Sequence, residues 1–236
     1  MFEKLKIIQK QIFSINNFDN HLVIYFLGFR IRKKLSNKVI EINLKESGIN
    51  NTNPRTPKII LSLTTFPDRI NTVSKTIKTL LNQTLKPDKV ILWLASEQFP
   101  KKEQELPGDL LELKNFGLDI KWCEDIKSYK KLIPSLIEFE NDIIITFDDD
   151  IYYDEDIVKR LYDAHLADRE AVVVNRYSRI YFKNDKIKFL KSSKLYFSNP
   201  PKPSLLNVII GCGGVLYPPK SLNPNVLNKQ EFMSLI

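Results

Sequence analysis

Ile143-Ile144-Ile145-Thr146-Phe147-Asp148-Asp149-Asp150 is the stretch whose reading decides the fold. Its apolar, β-branched opening after Asn141-Asp142 has the composition of a central strand of a parallel sheet, buried on both faces. It then ends in three consecutive carboxylates. Ligands of open α/β sheets gather outside the carboxyl ends of the strands, so these aspartates stand where a site is expected. Alternate side chains of an extended segment point the same way, which pairs Asp148 with Asp150 and turns Asp149 aside. Two aligned carboxylates repel unless a proton or a cation lies between them. Hard oxygen ligands suit Mg²⁺ or Mn²⁺, and Mg²⁺ typically combines one or two carboxylates with the phosphates of a substrate. The competing reading is a solvated acidic turn, with Asp154, Glu155 and Asp156 favouring the start of the next helix. The place of the triplet, closing a buried strand, favours a metal and a diphosphate.

Outward from this stretch the pattern alternates. Strands are expected over 58–63, 89–94, 118–123, 143–147 and 171–175, with helices over 69–83, 110–115, 129–139 and 154–167. Ile70, Val73, Ile77, Leu80 and Leu81 supply the apolar stripe of the first helix. Strand and helix in strict succession imply βαβ crossovers and a mostly parallel, Rossmann-like sheet flanked by helices. Past Tyr177 the order blurs: Lys183–Lys188 has the look of a hairpin turn and Ser198–Ser204 of a proline-rich loop. The breaker-rich run Ser47–Pro57 is read as a linker, giving a basic N-terminal appendage over 1–57 and an α/β domain over 58–236.

The net charge of +8 is unevenly placed. Residues 1–58 hold 11 Lys/Arg against 4 Asp/Glu, a balance of +7, and the remaining 25 against 24 leave +1 for residues 59–236. No motif pairs a basic face with groove-reading or stacking elements, so nucleic acid is not an expected partner. A basic leader fits an anionic membrane surface better. Its apolar stretch His21–Phe29 falls short of the ~20 residues of a spanning helix. Two readings stand side by side: peripheral contact with a membrane through residues 1–40, or an ordinary helix or strand packed on the domain. Cys123 and Cys212 are too few for a disulfide framework, which points to a reducing, cytoplasmic setting. His165 is read as a partly exposed residue on a helix surface, and Tyr152, Tyr153, Trp93 and Trp122 as core or pocket wall. Neither G-x-G-x-x-G nor G-x-x-x-x-G-K-[ST] occurs, which disfavours a dinucleotide dehydrogenase and a P-loop nucleotidase.

Four segments fall at carboxyl ends of strands or just beyond: Leu63-Thr64-Thr65-Phe66-Pro67-Asp68-Arg69, Cys123–Lys131 with its Asp-x5-Lys spacing, Asp148–Asp150, and Ile210-Gly211-Cys212-Gly213-Gly214-Val215-Leu216-Tyr217-Pro218-Pro219. In this order they resemble the GT-A-type glycosyltransferases, specifically the family-2-like bacterial enzymes of surface-polysaccharide assembly, lipopolysaccharide and capsule among them. The resemblance covers residues 58–219. It implies transfer of a sugar from a nucleotide-sugar donor, UDP-linked by expectation, to a saccharide or lipid-linked saccharide, with Mn²⁺ or Mg²⁺ as cofactor, at the cytoplasmic face of the membrane. Asp148 and Asp150 would hold the metal. Thr65, Arg69, Asp125, Lys130, Lys131, Asp148, Asp149, Gly213 and Gly214 would line the donor site, the glycines by allowing close backbone approach.

Plainer readings stay open beside these. Thr65 or Asp68 suits a helix cap, Asp125 a turn, one of Lys130 and Lys131 a solvated helix face, and the glycines a tight turn. Inverting enzymes of this type use a carboxylate beyond the Gly-Gly loop as base, and here Glu231 is the only acid after Asp185. Either Glu231 serves or the chain ends before its base. The alternatives in function are a truncated, non-catalytic nucleotide-sugar-binding protein and a sugar-phosphate nucleotidyltransferase. The latter opens with a Gly-rich loop after its first strand, and Leu63–Arg69 has no glycine.

Overall fold

Ile143–Thr146 is a strand whose four residues are all buried, at the middle of a six-stranded sheet. The structure is a computed structural model that describes residues 42–184, 186–190 and 204–234, together with the backbone of 13–18, 21–26 and 29–34. Contacts divide the chain into two units, the second opening at Ile42. In the first, β1 (Phe13–Phe18), β2 (His21–Phe26) and β3 (Phe29–Lys34) pair antiparallel in sequence order. Within the leader's apolar stretch, His21–Phe26 therefore has a strand backbone. Its side chains, and with them the membrane reading, lie outside the described residues.

In the second unit, β4 (Ile59–Thr64), β5 (Lys89–Ala95), β6 (Leu118–Cys123) and β7 (Ile143–Thr146) are parallel. The chain steps outward from β4 to β5 and β6, then returns to set β7 on the other side of β4. The strand order therefore reverses between β4 and β7, and a crevice opens at their carboxyl ends. Beyond β7 lie β12 (Val215–Tyr217), antiparallel to it, and β8 (Val173–Val174) at the edge. The strand expected over 171–175 is thus shorter and does not join the parallel set directly, because β12 comes between it and β7.

Period-2 alternation gives the sheet two apolar faces. Ile59, Leu61, Leu63, Leu92 and Ile145 pack with α1 (Ile70–Leu81) and α4 (Ile157–Ala167). Ile60, Ile91, Trp93 and Ile144 pack with Leu132, Leu136 and Phe139 around α3 (Ile133–Glu138). On this second face Ser62 Oγ donates to Lys131 O at 2.6 Å and lies 2.8 Å from Ser135 Oγ, which accepts from Trp93 Nε1 at 2.8 Å. Buried polar groups need such partners, and this trio pins the segment before α3 to the sheet.

The expected helix over 129–139 is instead a 3-10 turn, Lys127–Lys131, followed by α3. Pro134 explains the break: without an N–H it cannot bond to the carbonyl four residues back, so it falls in the first turn of a helix. The helix expected from Asp154 starts at Ile157, because Gln83 Nε2 donates to Asp154 O and Thr84 N to Glu155 O. His165 corrects the sequence reading. It is buried at 4 % exposure, one helical turn beyond Leu161, and burial followed by nearby Arg169 lowers its pKa. Residues 47–57, read as a linker, are fastened to this unit: Gly48 N donates to Phe116 O, Asn50 N to Pro87 O, and Arg55 pairs with Asp88 at 2.8 Å.

A second, three-stranded sheet grows between β8 and β12. It consists of β9 (Tyr177–Lys183), β10 (Lys186–Leu190) and β11 (Asn207–Ile209), with β9 central. Lys183 pairs with Lys186, so the hairpin turn expected over 183–188 is present, with Asn184 at φ +52°. Most of the proline-rich 198–204 segment lies outside the described residues. Two short helices complete the unit, α2 (Gly108–Leu111) and α5 (Lys229–Met233). Among the described residues no helix is long and apolar enough to cross a membrane.

Candidate functional site

At the switch point lies a cleft of about 520 Å³, within the usual range for small-molecule sites. Three of the four singled-out segments line it: Thr64–Arg69, Asp125–Lys131 and Asp148–Asp150. The first leaves β4 through a 3-10 turn at Pro67–Arg69 into α1, and no side chain caps either helical start. Thr65 is therefore no cap. Nearly fully buried, its Oγ1 donates to Asp149 Oδ2 at 2.6 Å. Arg69 Nη1 lies 2.9 Å from both Asp149 Oδ1 and Asp150 Oδ2, and the hydrogen bond to Asp149 leads the causes that raise the pKa of the guanidinium.

This corrects the expected pairing within the triplet. Strand geometry stops at Thr146, and Asp149 and Asp150 lie in a turn, so period-2 alternation no longer applies. Asp149 faces inward and shares Arg69 with Asp150, while Asp148 pairs with Lys131 Nζ at 2.5 Å. Helix α1 holds the turn from below: Thr76 Oγ1 donates to Asp149 O, and Thr79 Oγ1 accepts from Tyr153 N. Tyr153 OH accepts from Asp148 N at 2.9 Å and donates to Cys212 O at 3.3 Å, tying the triplet to the glycine turn. Tyr152, by contrast, is half exposed and no core residue.

Asp125 anchors the opposite wall. It accepts from Lys130 Nζ at 2.9 Å, Lys127 N at 3.0 Å, Lys127 Nζ at 3.1 Å and Gln98 Nε2 at 3.0 Å. Gln98 was not singled out in the sequence, where nothing distinguishes it from a surface glutamine. Lys130 is 3 % exposed, so it is no solvated helix face, and Lys131 lines the cleft beside it. Burial raises the Asp125 carboxyl, but the bonds from Lys130 and Lys127 outweigh it and hold the pKa at about 2, below the ordinary 3.8. A depressed carboxylate stabilises the fold fully above its unfolded value and loses that contribution as pH falls through the folded value. Asp125→Asn is therefore expected to be less stable than the wild type above about pH 4, with the gap closing toward about pH 2. Denaturant titrations across that window check this.

The glycines have reasons of their own. A Cβ at Gly214, at φ +86°, would lie 2.8 Å from Phe147 Cε1, and one at Gly213 would lie 2.8 Å from Arg176 Cγ. A side chain at either position would therefore meet protein atoms, and neither glycine lines the cleft. A Cβ at Gly211 would lie 3.8 Å from Lys131 Nζ. Glu231 does not line the cleft. It is exposed on α5, whose Phe232 packs on Ile126, Ile133 and Tyr129.

The uncommitted oxygens decide whether a divalent ion fits. With Asp148 Oδ1 on Lys131 and Asp150 Oδ2 on Arg69, the other oxygen of each carboxylate has no donor among the described residues, and both residues line the cleft. Two hard oxygens beside a cationic wall suit Mg²⁺ or Mn²⁺ completed by substrate phosphates. Among the described residues no three His, Cys, Asp or Glu side chains gather as a self-sufficient metal centre. Comparison with protein-family models and with curated proteins finds no match to the chain.

Proposed function

We propose that this protein is a GT-A-type glycosyltransferase that takes a nucleotide-sugar donor, UDP-linked by preference, and passes the sugar to a saccharide or lipid-linked saccharide. The observation that carries this reading is the cleft itself. Three aspartates at a topological switch point line one cleft with Arg69, Lys127, Lys130 and Lys131, and two of their carboxylate oxygens have no donor among the described residues. Such a site suits an anionic diphosphate bridged by a divalent ion. Asp148 and Asp150 would hold Mn²⁺ or Mg²⁺, which when bound neutralises charge growing on the leaving diphosphate.

The chain's own groups do the rest. Lys131 and Arg69, already placed by their carboxylates, supply positive charge to the diphosphate without reorganising when the sugar departs. Thr65 keeps Asp149 oriented and so fixes Arg69. Asp125 holds Lys130 and Lys127 at the far wall, where the nucleoside would lie. The two free cysteines fit a reducing compartment. Every acid lining the cleft carries a cationic partner, and Asp125, with its pKa at about 2, is a poor base. Proton acceptance from the acceptor hydroxyl therefore has no assigned side chain.

Incubation with UDP-, GDP- and CMP-activated sugars and Mn²⁺, with release of the nucleotide product followed, tests the reading. The expected result is release from one of the three classes, lost in Asp150→Asn. Binding without release from any would make the protein a nucleotide-sugar-binding protein instead, and neither binding nor release would overturn the site.

A further inference from the structure

The turn that carries Lys127, Lys130 and Lys131 is held from two sides. Lys127–Lys131 is a 3-10 segment with three residues per turn, so positions three apart lie along one edge. Lys127 and Lys130 form one edge, Ser128 and Lys131 a second, and Ile126 with Tyr129 a third. The first two edges line the cleft, where Asp125 accepts from both ammonium groups of the first and Asp148 from Lys131. The third edge is apolar and packs on α5 instead. Ile126, Ile133 and Phe232 form a buried cluster of their own, with Tyr129, Val226 and Met233 against it. The rings of Tyr129 and Phe232 lie 4.7 Å apart, centroid to centroid. Lys229 of α5 also pairs with Glu124, the residue before Asp125.

We propose that α5, acting through Phe232, is a positioning element for the cationic wall of the cleft. The turn needs holding. Lys127 sits at φ +55°, in the left-handed region where a side chain is strained, and such a residue persists only where its surroundings over-determine it. Three ammonium groups within five residues also repel one another. On the cleft side the restraints are ionic, through Asp125 and Asp148. A metal on Asp148 and a diphosphate on Lys131 would draw on those same groups, so the ionic restraints weaken when the site fills. The apolar edge takes no part in that exchange. Phe232 therefore keeps the rotation of the turn fixed while its charges change partners. A slip by one position would bring Tyr129 to the cleft in place of a lysine. None of the cluster's residues belongs to the two cores that cover the sheet, so loosening it acts on the turn first. Which ligand the wall receives rests on the transferase reading; that α5 holds the turn does not.

Amide hydrogen exchange of the full chain without nucleotide, and calorimetric titration of UDP and GDP with Mn²⁺, test this on wild type, Phe232→Ala and Phe232→Leu. In Phe232→Ala, exchange over residues 126–133 is expected to quicken at least about tenfold, the mark of a local opening. Exchange over β4 and β7 should stay as in wild type. Affinity for the nucleotide that wild type binds should fall about tenfold, the lower range for misplacing a charged hydrogen bond. Phe232→Leu, which keeps an apolar group against Tyr129, should recover most of both effects. Should Phe232→Ala not fold, Val226→Ala trims the same cluster by less and is read in the same way. If wild type binds neither nucleotide, the donor reading fails, and the exchange arm alone decides whether α5 holds the turn. Wild-type exchange over 126–133 in Phe232→Ala would overturn the proposal. So would faster exchange across the whole sheet with unchanged affinity, which would make the role of Phe232 merely structural.

Discussion

Phe147→Ala is expected to lose about 3–5 kcal/mol of folding stability, the cost of deleting a fully buried aromatic side chain. Phe147 has no exposed surface, and its ring meets Tyr153 edge-on at a centroid distance of 4.5 Å. It also fills the space that a Cβ at Gly214 would take. A cavity here would close poorly, because Gly214 has no side chain to move in and its positive φ already sets the turn. The loss should reach the site as well. Tyr153 accepts the Asp148 N–H, so a loosened ring loosens the carboxylate triplet. Phe147→Leu, which keeps most of the volume, should cost markedly less. Denaturant midpoints read the difference if the slope is unchanged, and a loss below about 1 kcal/mol for Phe147→Ala would contradict this packing.

Lys131→Met should weaken binding of a nucleoside diphosphate while barely touching the fold. The ammonium lies 2.5 Å from Asp148, and the residue's backbone carbonyl is held by Ser62, so methionine can occupy the same path without the charge. Removing a hydrogen bond to a charged group costs about 1.5–3 kcal/mol, which is roughly 10- to 100-fold in affinity. Asp148 would then face the diphosphate uncompensated, which adds repulsion. Folding stability should change by less than about 1 kcal/mol, as for other solvent-accessible pairs. Lys127→Met is the natural comparison: its side chain is more than half exposed and its partner Asp125 keeps Lys130, so its effect should be smaller. Equal affinities for wild type and Lys131→Met would remove Lys131 from the binding wall.

Much of the α/β unit was legible because its strands are long enough for alternation to speak. Ile59, Leu61 and Leu63 against Ile60, and Leu92 against Ile91 and Trp93, announce two covered faces and hence a parallel sheet. The triplet's position was legible for the same reason, since Ile143–Thr146 could only be central. The orientation of its members was not, because the turn that starts after the strand has no period to follow. Nor was the support beneath it. Thr76, Thr79 and Gln83 look like the polar flank of α1, yet they are buried and bond to the backbone of residues 149–158. His165 was legible in principle, since it continues the stripe through Leu161, but histidine's usual exposure overrode the spacing. The insertion of β12 between β7 and β8 rests on a pairing over three residues, too short for any pattern to reveal.

The central claim is that Asp148 and Asp150 bind a nucleoside diphosphate through a divalent ion. Calorimetric titration of UDP, GDP and CMP, each with and without Mn²⁺, into wild type and Asp150→Asn tests it most directly. One of the two diphosphates, UDP or GDP, is expected to bind in a Mn²⁺-dependent manner and to stabilise the fold by about 2.7 kcal/mol at a hundredfold excess over Kd, with both effects lost in Asp150→Asn and with CMP, a monophosphate, binding more weakly. Absence of binding by both UDP and GDP, or binding that neither Mn²⁺ nor Asp150→Asn alters, would contradict it and leave the triplet an acidic turn.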